Sequence, residues 1–399
     1  MTYAENTFKF VGKLSVVKDS DKFKGYDETT YSSGWCGRKL NLTLTADTNR
    51  HSLVIRSGKW NDDSKNVIRA KTKSGHDANG NRTKGEAVQI PFAERFDPEW
   101  KDKVSGRNKY VLDITDPEEK QRLKDIISSN RLPDDGEFAS MDAVHEALDG
   151  LGAYRKEFLS DWDFAEQVYA FLSDDNTPKN MKYEVRGNVV HEYNPSKGVF
   201  YTNFVPNRIV CVGSETPCSS SGVVDFYFSE NAVDGDYAED SGWNYLNGYT
   251  RYYESAFKKV IGAPIQLRFA NDPEKYAEIM KKKFAAESET YRHIGLNVDY
   301  INGAQRQEIT YDMLSDEQKE SIDFGLTTLS AIKQEMGGTV YGEREQYVKI
   351  TGFAVGFSAG AEDTVYTKTD FDIPAAETET KSDDLFDDLM DDDELEIII

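Results

Sequence analysis

Cationic and aromatic side chains interleave between residues 18 and 84, and that mixture poses the first chemical question. Lys22 and Lys24 flank Phe23, Tyr31 precedes Trp35, and Arg38 and Lys39 follow it. Arg56 and Lys59 precede Trp60, and Lys71 and Lys73 carry the charge into a polar connection. An unpaired nucleic-acid strand suits such a surface. Cations follow the phosphates, and ring faces stack on bases at ~1–3 kcal/mol each. The plainer reading makes the rings core and the charges solvated. A second stretch, Tyr237 to Phe257, carries seven aromatic residues and two glycines. It reads as a long polar loop packed by its own rings. Arg251 and Tyr252 are its part best suited to binding.

The third constellation is a tail. From Ala375 the composition is that of a disordered segment. Asp384, Leu385, Phe386, Leu389 and Met390 then combine acids with apolar residues spaced i, i+4, which would share one face of a docked helix. Asp392 lies in a further acidic run, and Ile397 to Ile399 close the chain. A purely solubilising tail has no use for an apolar tip, so partner docking is expected. The same acids could also occupy the protein's own basic face.

Enzyme signatures are absent. There is no phosphate loop, no nucleophile elbow and no dinucleotide fingerprint. Carboxylates are abundant, but no spacing singles out a catalytic set. Cys36, Cys211 and Cys218 form no CxxC pair, and the five histidines lie far apart. These read as isolated residues, so neither a disulfide framework nor a zinc site is expected. No catalytic residue, metal or cofactor is assigned.

The net charge of −23 is unevenly spread. Residues 1–112 are net +7, residues 113–183 and 184–369 are each −9, and residues 370–399 are −12. That asymmetry points to a polyanion-binding face and an interaction tail. No apolar run reaches the ~20 residues of a membrane span, and Met1 to Phe10 lacks an apolar signal core. A cytoplasmic location is expected, and no membrane partner.

Period-two alternation predicts strands at Phe8–Leu14, Leu40–Leu44, Tyr183–Val189 and Val199–Val212, with a turn at Asn194–Gly198 between the last two. Shorter β-like runs occur at Leu53–Ile55, Tyr110–Leu112, Asp225–Phe228 and Ile265–Phe269, and Tyr347–Phe357 is the last strand. Helices are predicted after Asp116-Pro117, after Ser140, over Tyr154–Leu172, after Asp272-Pro273 and after the capping box Ser315-x-x-Gln318. Phe8-x-Phe10-x-Gly12-x-Leu14 is echoed by Tyr183-x-Val185-x-Gly187-x-Val189. A mid-strand glycine marks a bulge or sharp bend.

Two strand-rich segments that open on a glycine-bearing strand, a helical connector and an acidic tail with an apolar end together resemble phage-type single-stranded DNA-binding proteins of the OB-fold class. The resemblance implies an α+β, mainly β chain. Residues 1–113 would be a basic OB-like Greek-key barrel, 114–180 a helical connector and 181–357 a second OB-like barrel with helical insertions. Residues 358–399 would be a disordered acidic tail. It implies a non-enzymatic protein that coats single-stranded DNA, or RNA, in replication and recombination, and recruits proteins of those processes through the tail. In bacterial relatives the tail ends Ile-Pro-Phe; here Asp370-Phe371-Asp372-Ile373-Pro374 lies earlier and the chain closes on isoleucines. The zinc of some phage relatives is not carried over. The alternatives are a viral structural or assembly protein without nucleic-acid binding, and a metal-dependent nuclease.

Overall fold

The computed structural model describes residues 6–20, 23–76, 80–133, 135–175, 177, 181–230, 232–234, 244–254, 257–269, 284, 286, 289–335, 339–354 and 366–373. Alternating apolar residues make strands of the first segment: β1 (Thr7–Val16), β2 (Tyr26–Thr30), β3 (Trp35–Ala46) and β4 (Asn49–Trp60). In β1, Phe8, Phe10 and Leu14 turn inward. Two short ribbons follow, β5 (Val67–Lys71) with β8 (Ala87–Pro91), and between them β6 (Gly75–His76) with β7 (Arg82–Thr83). Helix α1 (Pro98–Lys103) leads to β9 (Tyr110–Asp113).

The caps act as the sequence indicates. The Asp116 carboxylate accepts from the backbone N–H of Glu118 and Glu119 and opens α2 (Pro117–Ser129). Ser140 opens α3 (Met141–Gly150). The single helix predicted over Tyr154–Leu172 is instead a strand and a helix, β10 (Arg155–Phe158) and α4 (Asp161–Ser173), divided by the Ser160 cap. Next come β11 (Lys182–Asn194), β12 (Val199–Val212), β13 (Ser219–Phe228), β14 (Val233–Asp234), β15 (Asn244–Glu254), β16 (Lys259–Phe269) and β17 (Thr290–Glu308). The capping box is present at α5 (Asp316–Asp323). Helix α6 (Leu329–Glu335), β18 (Thr339–Phe353) and β19 (Tyr366–Thr367) complete the described elements. None of these helices is long and apolar enough to cross a membrane. The helix expected after Asp272-Pro273 lies outside the described residues.

The expectation of two separate OB-like barrels joined by a helical connector is overturned. The chain builds one mixed sheet of fifteen strands in the order β10-β9-β12-β11-β1-β13-β15-β16-β18-β17-β4-β3-β2, with β14 and β19 attached to β15 and β17. Further pairings of β12 with β4, β1 with β3 and β13 with β17 turn the sheet back on itself. Strand β1 pairs with β11 along Thr7–Gly12 on one edge and with β13 along Thr7–Val11 on the other, then passes to β3 from Lys13. Alternation reveals that β1 is a strand; it carries nothing about which strand lies beside it. The main apolar core spans both halves of the chain, containing Phe8, Leu40, Leu53 and Phe164 together with Phe226, Leu296 and Tyr300. Residues 114–180 are not a simple linker: β10 extends the sheet edge and α4 buries Phe164, Ala165 and Val168 in that core. The tail expectation also changes. Residues 366–373 form β19 and a 3-10 turn over Lys368–Asp370.

The described part of the predicted aromatic loop is almost wholly strand. Residues 244–254 are β15, paired with β16 throughout. Period two was masked there because Gly, Thr and Asn sit among the tyrosines.

Candidate functional site

Strands distant in sequence converge on a cavity of about 170 Å³. Strand β4 turns His51, Leu53 and Ile55 inward as alternate residues. Strand β11 does the same with Val189 and His191. Thr202 of β12 lies opposite His191 in register, and Phe204 follows on the same face. Thr250 of β15, Arg268 of β16, Tyr300 of β17 and Tyr347 of β18 complete the polar and aromatic wall.

Both histidines are buried and neutral. His51 Nε2 is hydrogen-bonded with Ser220 Oγ at 2.8 Å, and its ring stacks on Phe10 at 4.2 Å. His191 Nδ1 is hydrogen-bonded with Thr202 Oγ1 at 3.1 Å. Removal from water disfavours the imidazolium and holds each ring down at about 4. Burial pushes the Tyr300 phenol up, so it too stays uncharged. The Thr250 side chain is 1% exposed and its hydroxyl has no hydrogen-bond partner. Arg268 supplies the cation. Its guanidinium lies 4.0 Å over the Tyr347 ring and 3.6 Å from Glu345.

The site therefore offers uncharged donors and acceptors between ring faces, with one guanidinium that is paired with Glu345. It is comparable in volume to an engineered cavity of roughly 150 Å³ that binds benzene. Ser220 and His51 have the separation of a nucleophile and its base. An imidazole held near 4 is a poor base at neutral pH, however, which argues against acyl transfer. Among the described residues no three His, Cys, Asp or Glu side chains come together to hold a metal ion.

The residues singled out by the interleaved pattern lie elsewhere. Trp35 and Trp60 begin and end the β3–β4 hairpin, face each other in register, and meet edge to face at 5.2 Å. Tyr31 closes the turn before Trp35 through backbone bonds. Arg38 is 7% exposed, bonded to Glu28, Glu166 and the Trp162 carbonyl, with its guanidinium 3.8 Å over the Trp162 ring. Lys24 pairs with Asp27, Lys59 with Asp63, and Arg56 grips Glu192 through both carboxylate oxygens. Lys39 lies over Phe23 at 5.8 Å. Lys71 and Lys73 are exposed, in and just after β5. Tyr252 donates to Glu254, near His191, and the Arg251 guanidinium lies over Tyr366 and Phe371. The hairpin thus brings Trp35, Trp60, Arg38 and Lys59 together; Arg251 and Tyr252 belong to β15. Lys22 and the tail residues Asp384, Leu385, Phe386, Leu389, Met390, Asp392, Ile397 and Ile399 lie outside the described residues.

These findings correct the functional expectation. Coating of single-stranded DNA was tied to an OB-fold barrel, and the single fifteen-stranded sheet lacks that architecture. With it go the replication and recombination role and the nucleic-acid and tail-recruited partners that depended on the resemblance. Much of the expected cationic surface is also already paired with carboxylates. In the sequence His51 and His191 read as isolated residues. The available signal was position: each is a polar residue at an inward step of an alternating strand.

No protein-family model matches the chain, and no curated protein matches it. Among solved structures, a deletion mutant of the single-stranded DNA binding protein from Thermus aquaticus is similar at 8% identity over 74% of this chain and 86% of that chain, with a TM-score of 0.29. A likeness that low shows neither a shared fold nor a shared family.

Proposed function

We propose that the chain is a non-catalytic binding protein for a small, single-ring molecule, uncharged or anionic, held in the cavity between His51, His191 and Thr250. The observation that carries this reading is the buried Thr250 hydroxyl left without a partner at a cavity walled by two neutral imidazoles. An unmade buried hydrogen bond costs ~1–3 kcal/mol, and a ligand that supplies the missing partner recovers it. Phe204, Tyr300 and Tyr347 give flat apolar faces suited to a ring, and Arg268, already paired with Glu345, adds a guanidinium beside Tyr347 that suits an electron-rich substituent. A convergent set of polar groups in an otherwise apolar pocket is the usual form of a small-molecule site.

The test is a thermal-shift and calorimetric screen of single-ring compounds (phenols, benzoates, neutral heterocycles) against the full chain and two variants. Thr250→Val keeps the shape and removes the hydroxyl. His191→Leu removes the imidazole. A ligand that stabilises the native chain and binds each variant at least tenfold more weakly is the expected result. No stabilising compound at millimolar concentration, or binding indifferent to both substitutions, would overturn the reading.

A further inference from the structure

Away from the cavity, residues 366–373 lie in a groove made by β15, β16 and the start of β17. Thr367 and Tyr366 pair with Thr290 and Tyr291. Phe371 is 4% exposed, with its ring 4.4 Å from Tyr291, 5.3 Å from Tyr249 and 5.5 Å from Tyr227. The floor beneath it is Gly262, whose N–H donates to the Phe371 carbonyl at 3.2 Å; a Cβ there would lie 2.8 Å from the Phe371 side chain. Cations read the acids and carbonyls around this anchor. Arg251 lies 3.8 Å from Asp370, and Lys259 donates to the Thr369 carbonyl at 3.2 Å. The Arg251 side chain is only 8% exposed, and its Nε has no hydrogen-bond partner.

Strand addition, one aromatic anchor in a fitted pocket and charge complementarity are the parts of a peptide-recognition site. None of these contacts depends on the segment belonging to the same chain. Residues 354–365 separate it from β18, enough chain to span at most about 43 Å. The segment is net −1, with Asp370 and Asp372 against Lys368, and the groove presents Arg251 and Lys259, although the chain as a whole is net −23. Every copy carries both halves of the contact. We propose that the Arg251–Gly262 groove is a docking site for the Phe371 segment of a second copy of this chain, so that exchange of residues 366–373 links copies. This inference is independent of the small-ligand reading. Within one chain the tethered segment competes at high effective concentration, so linkage is unmasked only when that competition is removed.

Two full-length variants separate the halves. Phe371→Ala keeps the groove and loses the anchor; Gly262→Leu keeps the anchor and fills the groove. Each alone is expected to be monomeric by light scattering, and an equimolar mixture at tens of micromolar to form a heterodimer. A mixture that stays monomeric while both variants retain native near-ultraviolet circular dichroism overturns the proposal. If Gly262→Leu does not fold, a fluorescent peptide with the sequence of residues 366–373 decides. It should bind Phe371→Ala at least tenfold more tightly than the native chain, whose groove is filled. Equal affinity for the two, or none for Phe371→Ala, overturns the proposal.

Discussion

The chemistry of the cavity depends on keeping two imidazoles uncharged, and that has a consequence for stability. Burial holds His51 and His191 at about 4, against 6.5 for an exposed histidine. Between those values the unfolded chain binds protons that the folded chain does not, so the imidazoles' contribution to stability is complete above pH 6.5 and is lost as pH falls toward 4. At ~1.4 kcal/mol per pKa unit, each imidazole accounts for roughly 3 kcal/mol of that loss. Urea midpoints at pH 7.5 and 4.5 for the native chain and for His51→Gln and His191→Gln measure it. Each variant should lose less stability across the interval than the native chain; identical losses would show that the rings are not held neutral by burial. Residue identities were legible in the sequence, but their surroundings were not. Arg38 and Trp60 have the right types for a binding surface, and whether a guanidinium meets solvent or Glu28 and Glu166 is decided by strands and a helix more than a hundred residues apart. His51 is the converse case. A lone histidine carries no local signal that a serine at position 220 will lie 2.8 Å away.

At the scale of elements, local rules read well where the determinant is local. Caps at Asp116, Ser140 and Ser315 and the turn at Asn194–Gly198 need only neighbouring residues, and all are present. The glycine echo resolves into distinct cases. Gly187 sits at a register shift between β11 and β12, where a Cβ would overlap the Val205 carbonyl oxygen. Gly12 is the residue at which β1 leaves β11 before pairing with β3. Gly352 matches the same sequence pattern but has open space beside it. Substitution should separate them. Gly187→Ala forces backbone apart and should cost about 1–3 kcal/mol. Gly352→Ala should be neutral or stabilise by about 0.5 kcal/mol, through a less flexible unfolded chain. Thermal unfolding of both variants decides the matter. A Gly187→Ala chain as stable as the native one would mean that the bulge does not need glycine.

For the whole molecule, what the sequence could not show is adjacency, because a strand's alternation fixes its faces and leaves its neighbours open. The two edges of β1 are taken by β11 and β13, more than 160 residues away, and Phe8 and Phe10 pack on Phe204 while Phe10 also meets Tyr300. Residues 1–113 taken alone would expose both edges of β1 along Thr7–Val11 and the apolar side chains beneath them. Unpaired strand edges with an uncovered apolar face do not hold a native sheet. The isolated segment should therefore show no cooperative melting and no dispersed amide spectrum. The full chain should unfold in one transition, and refold slowly because its pairings join distant segments. Calorimetry of the chain and nuclear magnetic resonance of the segment test this together. Two resolved transitions, or a folded 1–113 segment, would mean that the interleaved strands contribute little and that the sheet is energetically divisible. A single transition would make the cavity a product of the whole sheet, since His51, His191, Thr250 and Tyr300 reach it from four strands spread over 250 residues of chain.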